Sequence, residues 1–284
     1  MASTTAPRAP SALPDLRVVP VTDLLLHEQH DAQRSEPLTR RLQTDGLLKN
    51  PPIVAAINGD RRFVVLDGAN RVTAFERMGL PHIVVQVVDY GDAGLVLDSW
   101  HHLVCGIERA TFAERLGRLP GLIVAPSGLV HARAQLARRE ALAFVVYPGQ
   151  ELCTLRVDGS LHERVVRLND TVAAYRLDGR VFRVNTDHLD GLLSQYDDVT
   201  ALVVFARHVP AEIVDLARIG ALLPAGITRH VIPGRALGVN VPIALLLESK
   251  SLADKSAALD DWIKRKVLRK QIRYYEESTF VYDE

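Results

Sequence analysis

Cysteine is nearly missing from this chain of 284 residues: Cys105 and Cys153 are the only two, and they form no close-spaced pair. That scarcity argues against a disulfide framework or a zinc knuckle and fits a reducing cytosol. An excess of one charge is missing too. Lys+Arg 34 balances Asp+Glu 34, so no global field draws the protein to nucleic acid or an anionic membrane, although a local patch stays open. No segment approaches the length of a membrane span; the apolar run Val241-Pro242-Ile243-Ala244-Leu245-Leu246-Leu247 is short and reads as core. The first fifteen residues, rich in Ala, Pro, Ser and Thr, lack the continuous apolar stretch of a secretory signal, and 1–15 reads as a disordered lead-in. What remains is ordinary for a soluble globular protein: 48% hydrophobic and 24% charged, with length for a sizeable core and two domains more readily than one.

What is there begins with a junction. The apolar run Phe63-Val64-Val65-Leu66 leads into Asp67-Gly68-Ala69-Asn70-Arg71, and Gly79-Leu80-Pro81 closes the helical stretch that this turn opens. A helix start leaves N–H groups without partners and carries partial positive charge, which makes it a seat for anions. Gly68 lets the backbone approach a ligand, Arg71 in the first turn can clamp an oxyanion, and Asp67 can hold a cation or a hydroxyl. The plainer reading is a tight βα turn with Asp67 as N-cap and Arg71 solvated. Single Asp-Gly turns are common, and from this segment alone the plainer reading is favoured.

The surrounding pattern predicts a small mixed sheet with two helices: strands at 17–21, 52–57, 62–66 and 83–88, a helix capped by Ser35 with Pro37 in its first turn, a turn at Asn58-Gly59, and a helix over 69–78. After Asp92 the texture changes. A helix is expected over 95–107, bearing Trp100, His101 and His102, and another over 110–119. Strands are expected at 143–147, 152–157, 181–184 and 199–206, followed by an amphipathic helix over 211–223. The basic stretch from Lys264 to Arg273 reads as the solvated face of a helix whose apolar positions are Trp262, Ile263, Val267 and Ile272. His27, His30 and His208 show no metal-ligand spacing.

Several segments together carry a resemblance: Leu26-His27-Glu28, Arg34, Gly46-Leu47-Leu48-Lys49-Asn50-Pro51-Pro52-Ile53-Val54, Val65 to Arg71, Gly79 and Val88-Asp89-Tyr90. They resemble the ParB/sulfiredoxin superfamily, and within it the free-serine kinases. Trp100-His101-His102, Thr228-Arg229-His230 and Gly234-Arg235 look like the substrate domain of the same kinases, especially the branch tied to siderophore precursors. Sulfiredoxin chemistry needs a cysteine in this turn, where Asn70 stands. The chromosome-partition branch joins the domain to a helix-turn-helix, of which the stretch from 92 to 148 shows no convincing sign.

The resemblance implies an α+β protein: a ParB/sulfiredoxin-like nucleotide domain over 16–92, an α/β substrate domain over 93–284, and a cleft between them. It implies phosphoryl transfer from ATP or ADP to the hydroxyl of free L-serine in the cytoplasm, giving O-phospho-L-serine. Glu28 takes the place of the catalytic carboxylate. Asp67 joins it, with Gly68, Ala69, Asn70 and Arg71 on the nucleotide phosphates, and Trp100, His102, Thr228, Arg229 and Arg235 around the amino acid. Mg²⁺ is expected because the transferred charge needs neutralising, with its ligands unassigned. One departure stands out: the kinases usually carry His where this chain has Asn70, which can donate a hydrogen bond but cannot carry a charge. The rival class is a nucleotide-responsive DNA-binding regulator; a third is a catalytically silent ligand sensor.

Overall fold

The computed structural model describes residues 13–247 and 249–275. The predicted lead-in lies outside the described residues up to position 12, and Asp15 already belongs to a strand. The first unit runs β1 (Asp15–Pro20), β2 (Leu24–Leu26), α1 (Ala32–Asp45), β3 (Leu47–Leu48), β4 (Ile53–Ala56), β5 (Phe63–Asp67), α2 (Ala69–Arg77) and β6 (His82–Val88). Five of these strands form a sheet ordered β1-β6-β4-β5-β2. Its central hairpin, β4 against β5, turns at Asn58-Gly59 as predicted; Gly59 has φ 73°, a region L side chains avoid. Successive strand residues face opposite sides. Val54 and Val65 therefore join Leu42, Val72 and Phe75 of the helices in one core. Ile53, Ala55, Val64 and Leu66 face the other way, into a second core.

The next stretch runs β7 (Val96–Ser99), β8 (His101–Cys105), α3 (Arg109–Gly117), β9 (Ile123–Pro126), α4 (Leu129–Ala137), β10 (Ala143–Val146), β11 (Leu152–Arg156), α5 (Leu161–Arg176), β12 (Arg180–Val184), α6 (Asp190–Leu193), β13 (Val199–Phe205), α7 (Pro210–Ile219) and β14 (Thr228–Val231). Six strands, β12-β8-β13-β10-β11-β9, make an antiparallel sheet. Val104, Val145 and Val203 pack under α3, α5 and α7 in the core that also takes in the first sheet. Leu103, Phe144 and Leu202 pack on the opposite face with Ala132 and Leu192. The chain then returns. β15 (Val241–Pro242) pairs with β3, and α8 (Ala244–Leu247) and α9 (Leu252–Leu268) set Leu246 and Leu259 into the first core.

Four sequence expectations need correction. The helix expected over 95–107 is two strands; β8 is buried on both faces, so its sequence shows no apolar–polar alternation to mark a strand. The first helix starts a turn before Ser35: the Asp31 carbonyl accepts from Arg34 and Ser35 N–H, leaving Pro37 inside the helix. α7 stops at Gly220, whose φ of 67° ends it before residue 223. Val267 and Ile272 are exposed, and Ile272 lies beyond the end of α9. The longest element missed is α5, although Ser160 and Glu163 form a capping box and Val165, Leu168, Val172 and Tyr175 follow at helical spacing.

Candidate active site

Glu28 follows β2 and is stitched to the second unit. The Gln29 N–H donates to the Leu223 carbonyl and the Leu223 N–H to that of His27, each at 2.8 Å. Its Oε2 accepts from the Gly226 N–H at 3.2 Å and lies 2.9 Å from the Thr228 hydroxyl. Burial pushes this carboxyl up to about 7, against the opposing pull of Thr228, Gly226 and the charge of Arg183. A carboxyl poised there can hold or release a proton at neutral pH.

The proton count around it is tight. His27 Nδ1 lies 2.7 Å from the Val65 carbonyl, which only accepts, so Nδ1 carries the hydrogen. Burial lowers the imidazole to about 4, so it is neutral near pH 7 and its Nε2, 2.8 Å from Thr228 Oγ1, is an acceptor. The single Thr228 proton therefore serves two acceptors, His27 and Glu28. An ionised Glu28 takes that proton away from a buried histidine.

The Asp67–Arg71 turn is built differently. Gly68 holds φ 106°, and a Cβ there would stand 3.0 Å from the Pro52 backbone. No side chain caps α2, so Asp67 is not its N-cap and the first N–H groups of the helix are open. Asp67 instead accepts from Arg235 at 2.7 Å and from Arg71 at 3.3 Å. Burial works to raise its carboxyl, but the two arginines outweigh that and hold it below the usual range. Arg71 is not solvated: it also donates to the Asn50 and Pro51 carbonyls at 2.8 and 3.1 Å. The Asn70 side-chain oxygen accepts the Asp31 N–H at 2.8 Å, tying the turn to the loop after Glu28 and leaving its amide hydrogens for a ligand.

Of the predicted substrate residues, Thr228 and Arg235 converge on these two carboxylates. Gln86 sets Arg235 in place by bonding both Gly234 and Ala236. Arg229 alternates with Thr228 along β14 and so faces away from it. There it stacks on Trp100, 4.6 Å from the ring centroid, and pairs with Asp98 at 3.7 Å. His102 is fully buried, with Nδ1 2.7 Å from the Tyr175 hydroxyl, and burial pushes it well below its ordinary value. From the sequence His27 is weighed only for metal-ligand spacing, and Arg183 is passed over. The Arg183 guanidinium lies against Gly226, where any Cβ would overlap it. Nothing in the strand Arg180-Val181-Phe182-Arg183-Val184 singles it out.

Fold and site together define an α+β protein in which a buried carboxyl, Glu28, lies a few residues before Asp31, whose N–H ties that loop to Asn70 at the uncapped start of α2. No family model matches the chain. It is homologous to proteins named ATP-dependent L-serine kinase. One, from Staphylothermus marinus, is 22% identical over 231 residues, covering 80% of this chain and 89% of the relative. Another, SbnI of Staphylococcus aureus, is 29% identical over 238 residues, covering 81% and 84%. Among solved structures, a C-terminally truncated SbnI superimposes with a TM-score of 0.68 at 22% identity, covering 90% of this chain and 97% of that one. A free serine kinase in complex with AMP gives 0.72 at 17% identity, covering 84% and 96%. The likeness to the free-serine kinases is borne out.

Proposed function

We propose that the protein is an ATP-dependent L-serine kinase whose active site lies between the two sheets. The observation that supports this most is the pairing of Glu28, raised to about 7 by burial, with the open start of α2, tied together through Asn70 and Asp31. The likeness to named serine kinases extends over four fifths of the chain and favours turnover over a DNA-binding role. Between Asp92 and Pro148 the helices α3 and α4 are separated by strand β9.

In this reading Glu28 accepts the serine hydroxyl proton as the oxygen bonds to the γ-phosphorus. The bond to the bridging oxygen breaks and ADP leaves. Backbone N–H groups of Ala69 and Asn70, together with the Asn70 amide, receive the phosphates. Gly68 allows the approach, and Arg71 shapes the turn by holding the loop at Asn50. Asp67 keeps Arg235 at the mouth, and Thr228 orients Glu28. Trp100 and Arg229 form a wall on the outer side of β14, and His102 supports the sheet behind. Residues 16–92 supply the nucleotide side and 93–284 the substrate side, with α8 and α9 buttressing the former.

Among the described residues no three His, Cys, Asp or Glu side chains gather into a metal cage. The oxygen donors of Asp67 would suit Mg²⁺ shared with nucleotide phosphates. Bound there, the ion neutralises phosphate charge. No described helix is long and apolar enough to cross a membrane, and we place the reaction in the cytoplasm. Incubation with L-serine, Mg²⁺ and either ATP or ADP, read by phosphorus NMR, should yield O-phospho-L-serine with ATP. Nucleotide binding without product in either tube would refute the assignment.

A further inference from the structure

Resting on that reading for the identity of the substrate, we infer that Arg183, backed by Arg176, is the seat of the substrate's α-carboxylate. Serine carries its hydroxyl and its carboxylate on neighbouring carbons attached through Cα, so a base for one must stand beside a receptor for the other. Arg183 meets that condition: its guanidinium rests on Gly226, whose N–H is bonded to Glu28 Oε2 at 3.2 Å.

The charge pattern singles it out further. Arg71 and Arg235 share Asp67, Arg229 has Asp98, and Arg34 stands 3.7 Å from Asp31. Among the described residues no carboxylate reaches Arg183 or Arg176 within ion-pair distance. Arg176 donates only to the Ala225 carbonyl, at 3.1 Å, which holds its charge beside the same loop. Burial, with the charges of Arg34 and Arg176, lowers the Arg183 guanidinium from its ordinary value, against the opposing pull of Glu28 and Asp31. The resting site thus holds partly desolvated positive charge that an incoming anion relieves. The ladder brings no competing acid: directly opposite Arg183 on β8 stands His102, buried and neutral, its Nε2 without a partner. A guanidinium fork offers a carboxylate two parallel hydrogen bonds, which an ammonium cannot.

The test compares L-serine with ethanolamine, which keeps the hydroxyl and amine and lacks the carboxylate. Wild type, Arg183→Gln and Arg183→Lys are assayed for KM and kcat on both, and binding of each compound is measured by calorimetry without nucleotide. Arg183→Gln should raise the KM for L-serine about a hundred-fold, the loss expected for a charge-assisted bidentate contact, while kcat changes by a few-fold. Its kcat/KM for ethanolamine should match that of wild type, and Arg183→Lys should recover part of the serine affinity. An unchanged KM for L-serine overturns the proposal. Equal losses on both compounds also overturn it and assign Arg183 to the phosphoryl group. Calorimetry separates this from the kinase assignment. If wild type binds L-serine without turning it over, weakening by Arg183→Gln still supports the carboxylate seat, and equal binding by both proteins rejects it.

Discussion

The two sides of the cleft solve the problem of holding anions in opposite ways. On the side we assign to the nucleotide the arginines are neutralised: Arg71, and Arg235 from the other unit, converge on Asp67, and the groups proposed to meet phosphates are uncharged donors at the start of α2. On the side we assign to the substrate, no carboxylate among the described residues forms an ion pair with Arg183 or Arg176, while Glu28, which burial holds near 7, is close enough to interact with the Arg183 charge. Backbone donors on a rigid turn suit a ligand that brings several negative charges and a metal. An uncompensated guanidinium suits a small zwitterion with one carboxylate, for which a strong charge-assisted contact decides affinity.

The sharpest way to break this contrast is Glu28→Gln. It should lower kcat/KM at least about a hundred-fold and remove the acid limb of the pH profile. In wild type that limb should rise as pH passes about 7, since the base acts only when ionised. Asn70→Asp comes next. Replacing the free amide donors with a negative charge at the phosphate turn should cost about a hundred-fold in kcat, in the range found for losing a fixed donor. Asn70→His should be milder, because a ring nitrogen can still donate.

Smaller effects sharpen the picture of the Glu28 side. His27→Phe frees the Thr228 proton for Glu28, and the acid limb should move down by about one pH unit. An upward move, or none, would show that Thr228 never served His27. A separate effect is on stability. A carboxyl raised from 4.5 to about 7 contributes stability below its unfolded value, and this contribution is lost as pH rises through 7. Thermal melts of Glu28→Gln should therefore gain on wild type at pH 8 and show a smaller difference at pH 5.

Legibility followed locality. The stretch Asp67–Arg71 was readable because strand, glycine and helix start lie within a few residues, and the structure keeps all three together. Its plainer version erred on Asp67, which caps nothing: Arg235 approaches from far along the chain and claims the carboxylate. Glu28 was marked only by family likeness, since a lone glutamate in a loop carries no local signal. Trp100 and His102 were singled out but put on a helix. Trp100 lies between β7 and β8 and His102 on β8, and the two part, one stacked on Arg229 and the other sealed against Tyr175. Arg183 left no trace, because its meaning depends on Gly226 touching it from another element.

The chain's own order of residues determined the turn at Asp67–Arg71 and the hairpin at Asn58-Gly59, because hydrogen bonding and apolar periodicity act over a few neighbours. The tertiary structure alone decided which charges are paired and which proton each hydroxyl and imidazole holds. Desolvation and Coulomb energy depend on distances between residues as far apart as Glu28 and Thr228, and those distances exist only once both cores have closed.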